Sequence, residues 1–168
     1  MKTKNVSFSL LAVAGVLLIA CNKDAKTSTL RIRMTDAPTA LEEVNVDLKE
    51  INVKMASDTA KWVSMETKAG VYNLLGLQNG IDTLVAQEEL PAGVVKEIRF
   101  VLGTNNSVKQ NGQTYSLTVP SGAESGLKLK VDKQLNATID SLLIDFDAAL
   151  SVKQESDGYK LRPVLKVK

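Results

Sequence analysis

From residue 30 to the C-terminus, apolar side chains recur at every second position, and this period of two constrains the fold more than any other feature. Leu30, Ile32 and Met34 alternate with Arg31, Arg33 and Thr35. Ile98, Phe100 and Leu102 repeat the pattern, as do Leu127, Leu129 and Val131 among Lys128, Lys130 and Asp132. A strand points successive side chains to opposite faces, so such runs bury one face and wet the other. Val44, Val46 and Leu48 hold one phase, while Ile51, Val53 and Met55 hold the opposite one. That slip at Lys49-Glu50 predicts a β-bulge, in which two residues oppose one and the buried face is kept. Two short strands joined by a turn are the alternative, but no Gly, Pro or Asn marks a turn there.

Turn signals separate the remaining runs. Asn111-Gly112 accepts the positive φ of a type I′ turn and predicts a hairpin between Val108 and Tyr115. Residues 82–90 are the one segment with a helical reading, an irregular loop being the alternative. Leu142, Ile144, Phe146 and Ala148 read as one long strand continued by Leu150 and Val152. Tyr159, Leu161, Pro163, Leu165 and Val167 alternate to the end, and Pro163, which cannot donate to a ladder, predicts a free edge there. With no βαβ spacing and no internal repeat, the pattern predicts an all-β fold. It is a single antiparallel β-sandwich of about 8–10 strands.

The first residues have a different character. Lys2 and Lys4 precede residues 6–20, which carry no charge. At ~1.5 Å per residue this run reaches roughly 22 Å, short of a ~30 Å hydrocarbon core. A basic start followed by a short apolar run reads as a secretory signal. The one Cys of the chain follows in Leu18-Ile19-Ala20-Cys21, which resembles the bacterial lipobox. The resemblance implies cleavage before Cys21, a thioether-linked diacylglycerol on its sulfur and an acyl chain on its amine. Two or three acyl chains anchor stably where one is marginal. The expected organisation is therefore a cleaved lipoprotein signal peptide (1–20), a flexible polar tether (21–28) and a β-sandwich domain (29–168). The expected place is the bacterial cell envelope, at the outer membrane or cell surface. Lys23-Asp24 is only weakly similar to the charged export tags of surface lipoproteins and leaves the leaflet open.

Composition narrows the chemistry. A chain of 168 residues suits one domain. It has no His, which removes imidazole bases and His-ligated metals, and its lone Cys excludes an internal disulfide. Removing Lys2 and Lys4 from the 21 basic residues leaves 19 against 19 acidic ones. A neutral mature chain with 4% aromatics gives no electrostatic or stacking reason to expect nucleic acid. Neutrality likewise offers no support for binding acidic membrane surfaces, leaving the acyl chains on Cys21 to hold the protein.

Several short strings then appear in order. They are Met34-Thr35-Asp36-Ala37-Pro38; Trp62 ahead of Asn73-Leu74-Leu75-Gly76-Leu77-Gln78-Asn79-Gly80; and Leu90-Pro91-Ala92-Gly93. Pro120-Ser121-Gly122 with Ser125-Gly126-Leu127-Lys128 follows, then Asp145-Phe146-Asp147-Ala148 with Ser151-Val152, and Tyr159-x-Leu161-x-Pro163-Val164-Leu165. Over residues 28–167 the ordered set resembles a family of bacterial cell-envelope lipoprotein domains of unknown function. The resemblance implies a lipid-anchored, single-domain β-sandwich and carries over no catalytic residues. The chain departs from the family at Val94-Val95-Lys96, where an aromatic is common after the turn; this bears on packing only.

Candidate chemistry is sparse. Ser125-Gly126-Leu127-Lys128 has the Ser-x-x-Lys spacing of penicillin-recognising enzymes, but Lys128 alternates in a strand instead of returning one helical turn later. Gly122, Gly126 and Lys128 lack the spacing and the following helix of a phosphate loop. Asp145 and Asp147 share a face of one strand, and Asp36 ends an apolar face; convergent, the three could bind a ligand or hold Ca2+. Turn formation and pairing with Lys are the commoner uses of such residues. Trp62 and Tyr72 could stack on a sugar ring, though core or edge packing is the commoner role. Glu42-Glu43 and Glu88-Glu89 point to opposite faces and cannot act as glycosidase pairs alone. No cofactor is implied. The expectation is a non-catalytic binding or scaffolding module with a glycan or protein ligand. The alternatives are a glycan hydrolase with a long-range carboxylate pair, or a surface-fibre subunit joined by strand addition.

Overall fold

The slip at Lys49 is the key to the larger of two sheets. In the computed structural model, which describes residues 26–56, 61–120, 126–136 and 138–168, β2 (Glu43–Met55) runs unbroken through it. Leu48 lies opposite Leu102 and Glu50 opposite Val101, so Lys49 is the extra residue of a bulge. Val44, Val46 and Leu48 before it, and Ile51 and Val53 after it, are all buried. A single 13-residue strand thus keeps one face in the core, as the phase change predicts.

The nine-stranded sheet is ordered β10 (Leu127–Gln134), β7 (Val94–Leu102), β2, β8 (Ser107–Gln110), β9 (Gln113–Thr118), β13 (Gly158–Leu161) and β12 (Val152–Glu155). The short β3 (Trp62–Ser64) and β5 (Gly70–Asn73) also pair with β2. The five-stranded sheet is ordered β14 (Leu165–Val167), β11 (Ile139–Phe146), β1 (Thr27–Thr35), β6 (Thr83–Pro91) and β4 (Glu66–Thr67). Between the sheets lies one core, in which Leu30, Ile32, Met34, Ile144 and Phe146 meet Ile51, Val53, Ile98 and Phe100. The β8–β9 hairpin turns at Asn111 and Gly112 with φ of 52° and 74°, the positive pair a type I′ turn requires. No helix among the described residues is long and apolar enough to cross a membrane.

The all-β sandwich is as expected, with five differences in detail. The sheets are mixed, because β1 runs parallel to β11 and β9 parallel to β13. Fourteen strands are present among the described residues instead of 8–10. All of residues 82–90 except Asp82 fall in β6; their Ala, Gln, Glu and Leu content favours a helix, but pairing along β1 overrides that preference. The two long C-terminal runs are each cut in two. After Phe146 the chain makes a single turn, α1 (Ala148–Ser151), and passes from the smaller sheet into β12 of the larger. At Pro163, which offers no N–H, it crosses back into β14, an edge strand. The domain also begins earlier than residue 29. Thr27 and Ser28 are already in β1, and Ser28 is buried.

Deleting Lys49 shifts Ile51 and Val53 onto the solvent face. Burial of such a side chain is worth about 1.5–3 kcal/mol, so the deletion is expected to cost about 3–6 kcal/mol in urea unfolding. Lys49→Ala, which takes an exposed ammonium from the buried Asp47 carboxylate but leaves it the Asn105 N–H, is expected to cost about 1 kcal/mol. Equal effects of the two changes would refute the bulge as the source of the register.

Candidate functional site

The three candidate aspartates lie at one end of the sandwich, where β1, β11 and a 3-10 turn (Leu74–Leu77) meet. Asp36 directly follows β1 and is 2% exposed. Its backbone N–H donates to Leu77 O at 3.0 Å. One carboxylate oxygen accepts the Ala148 N–H at 2.9 Å, and the other accepts the Gln78 amide at 3.0 Å. Thr35 beside it directs its hydroxyl to the carbonyls of Leu77 and Ile81, each at 2.8 Å. Asp147 caps α1 by accepting the Leu150 N–H at 3.0 Å, and its second oxygen lies 3.1 Å from Lys166 Nζ. Ser151 completes the corner, donating to Asp147 O and accepting the Val164 N–H at 2.9 Å.

Asp145 is placed differently. One of its oxygens lies 3.4 Å from Lys168 Nζ, and the other is buried without a hydrogen-bond partner among the described residues. Asp36 and Asp147 direct oxygens to the first N–H groups of α1, whereas Asp145 turns toward the edge strand. Among the described residues, no group of three or more His, Cys, Asp or Glu side chains is placed to hold a metal ion. Burial pushes the Asp36 carboxyl above its ordinary value. The donors from Ala148, Gln78 and Ala37 offset part of that, and the nearby Asp145 charge adds to it.

A second polar cluster sits at the opposite end, where β1 enters. The Asp140 carboxylate accepts the Asn136 N–H at 2.7 Å and the Ser28 hydroxyl at 3.0 Å, and lies 3.3 Å from Lys133 Nζ. The Asn136 N–H chiefly, helped by Ser28 and Lys133, holds its carboxyl below the ordinary value despite burial. Asp140 and Ser28 are not among the sequence candidates, and Gln78 and Ser151 enter there only within the ordered strings. A signal existed for two of them: Asp140 shares the apolar phase of Leu142, Ile144 and Phe146, and Ser28 that of Leu30 and Ile32.

The aromatic candidates do not converge. Trp62 stands opposite Lys54 and Tyr72 opposite Val46, eight residues apart along β2, or about 25 Å. Arg99 covers one face of the Trp62 ring, its guanidinium carbon 4.6 Å from the ring centroid. Tyr72 packs against the core and donates its hydroxyl to Lys68 O. The Glu42 carboxylate accepts the Gly112 N–H, and the Glu88 carboxylate accepts that of Glu66. Lys128 lies exposed in β10 opposite Arg99, while Ser125 and Gly122 lie outside the described residues. Cys21 and the signal segment are outside them as well.

The strings that follow one another in sequence gather in space. Thr35-Asp36-Ala37, Leu77-Gln78, Asp147-Ala148, Ser151 and Val164 share the hydrogen bonds of one corner. Their geometry ties the α1 crossover and the return at Pro163 to the end of β1. A family model described as Domain of unknown function (DUF4382) matches residues 27–163. No curated protein and no solved structure matches the chain.

The two buried aspartates predict opposite pH responses. Asp36, with its folded value raised, takes up its proton before the unfolded chain does, so its contribution to stability grows as pH falls through that raised value. Asp140, with its folded value lowered, stabilises above the unfolded value and loses that contribution as pH falls through the folded one. Asp36→Asn, with Gln78 turned to offer its oxygen, is expected to be at least as stable as the parent at pH 7. That advantage should narrow toward pH 4. Asp36→Ala leaves the Ala148 N–H unpaired and is expected to cost about 1–3 kcal/mol. Thermal melts across this range check both, and equal losses for the two variants at pH 7 would mean that the charge itself is required.

Proposed function

The chain belongs to the DUF4382 family, and from that premise we propose that it is a lipid-anchored cell-envelope domain serving as a non-catalytic binding or scaffolding module. Family membership brings no activity with it, so the reading rests on this chain's own residues.

The observation that carries it is the position of β1. The lipobox-like Leu18-Ile19-Ala20-Cys21 precedes Lys26 by only a few residues, and Thr27 already pairs with Pro91 across the ladder to β6. Further along, β1 is bonded on both sides, to β6 and to β11. An anchor on Cys21 therefore holds the domain by a central strand. The engagement of the carboxylates supports a binding role over hydrolysis. Asp36, Asp147, Glu42 and Glu88 accept backbone N–H groups, whereas a glycosidase pair needs two carboxyls facing a common substrate. A ligand would meet the loops and outer sheet faces, with one ring face of Trp62 as the aromatic contact.

Detergent phase partitioning of the full chain expressed in a bacterial host tests the anchor. The parent protein is expected in the detergent phase. Cys21→Ser is expected to keep residues 1–20 and gain no acyl chain, which intact mass reads as a longer, unacylated polypeptide beside the cleaved and acylated parent. Recovery of the parent in the aqueous phase would overturn the reading.

A further inference from the structure

We propose that the end of the sandwich carrying Lys26 rests on an anionic lipid surface, so that the domain is docked on the bilayer and not merely tied to it. The inference builds on the Cys21 anchor proposed above and adds a surface, a partner and an orientation.

This end is formed by Lys26 and the start of β1, Ala56 after β2, the β6–β7 turn, and Leu135 and Asn136 after β10. They are bound together by backbone bonds from Ala92 N to Lys26 O, Ala56 N to Val94 O and Leu135 N to Gly93 O, all 2.7–2.8 Å. Its exposed residues include Ala56, Pro91, Ala92 and Ile139, the last 56% exposed, beside Lys26 and Lys61. Met55, Val63, Pro91 and Val94 line a groove of about 330 Å3 with Lys61 on its rim. A neighbouring groove of about 520 Å3 is lined by Lys54, Lys96 and Lys130 together with Glu97 and Asp132.

Charge is sorted across this end. Asp132 and Asp140, on the adjoining strands, are each paired with a lysine, Lys96 and Lys133. Glu97 lies 3.6 Å from Lys54. Glu66, Glu88 and Glu89 line a separate groove with Thr29, on the smaller sheet. With Lys54 and Lys96 matched by Glu97 and Asp132, the groove lysines that form no ion pair among the described residues, Lys61 and Lys130, stand on the larger-sheet side, which tilts toward the headgroups while the glutamates tilt away. Apolar side chains ringed by lysines suit the boundary between acyl chains and anionic headgroups, where Lys stems lie along apolar surface and the ammonium groups meet phosphate.

Proximity favours the contact. From Cys21 to Lys26 a fully extended chain spans at most ~17 Å. With its acyl chains in the bilayer, this end is held at the surface, and the lysines lie within a few Debye lengths of ~8 Å of the headgroups.

Trp62, the only tryptophan of the chain, follows Lys61 and stands opposite Lys54, so it reports on this side. The acylated protein is reconstituted on phosphatidylcholine vesicles with or without phosphatidylglycerol, and Trp62 emission is quenched by headgroup-spin-labelled lipid. Stronger quenching is expected with phosphatidylglycerol. Lys61→Glu with Lys130→Glu, and separately Ala92→Asp in the groove beside Lys61, are expected to lower it to the level on neutral vesicles, while each variant still floats with the lipid and keeps the parent's melting temperature. Equal quenching on both vesicle types, or in parent and variants, overturns the docking and leaves the anchor standing. Failure of the parent to float overturns both.

Discussion

The parallel pairing of β1 with β11 is the constraint on which the rest of the structure depends. Its ladder runs from Thr29 beside Ile139 to Thr35 beside Asp145. A parallel pair cannot be joined by a tight turn and needs a crossover. Here the crossover contains most of the larger sheet, from β2 through β10, together with β6, which returns to flank β1 on its other side. The smaller sheet therefore cannot form before most of the chain is in place. That is why one core serves both sheets, and why so few contacts of β1 are local. Loop-closure entropy makes such non-local pairings slow to form, so the register of β1 needs features that penalise wrong alignments.

Buried polar groups at the two ends of that pair supply them. Ser28 meets Asp140 at the entry of β1, and Asp36 meets the Ala148 N–H just beyond its exit. Sliding β11 by one residue would turn Ile144 and Phe146 outward and break both contacts together, leaving a carboxylate unpaired at each end. The energetics of the two ends differ. Asp140 is a carboxylate stabilised by its donors, whereas Asp36 is one held in a site that disfavours its charge. The second arrangement persists because Asp36 fastens α1, the point at which the chain changes sheets.

How much of this was legible depends on what alternation encodes. A period of two reports which face of a strand is buried, and it is silent about the partner. β1, β2, β7 and β10 were readable because their faces are consistently dry or wet, and the bulge at Lys49 was readable as a change of phase. Asn111-Gly112 was readable because the turn conformation is a local demand. At Ala148, Leu150 and Val152 the alternation continues while the chain leaves one sheet for the other, so a single strand was expected where there are two. Pro163 marked a missing donor but not a crossing. β6 was obscured by helix-forming residues and by the irregular register between Ile32 and Arg33 of its partner. In the candidate site, Asp36 was conspicuous as a carboxylate on an apolar phase. Its role was not, because Ala148 lies far away in sequence and only the fold brings the two together.

Net charge misleads in the same way that alternation does, because both discard position. The chain after residue 20 is neutral in sum, yet Lys61 and Lys130, which form no ion pair among the described residues, line two grooves at one end while Glu66, Glu88 and Glu89 line another on the opposite sheet. A uniform neutral surface would give an anchored domain no preferred orientation. A sorted one does, because the field of a headgroup layer decays over about a Debye length and acts mainly on the nearest charges. Anchoring through β1 is mechanically consistent with such an orientation. A pull on its N-terminus is resisted along its length by the ladders to β6 and β11, so those hydrogen bonds bear load together, whereas an edge strand would peel one bond at a time. The strand whose parallel partner lies farthest along the chain is thus also the one through which the domain can be held without being unravelled.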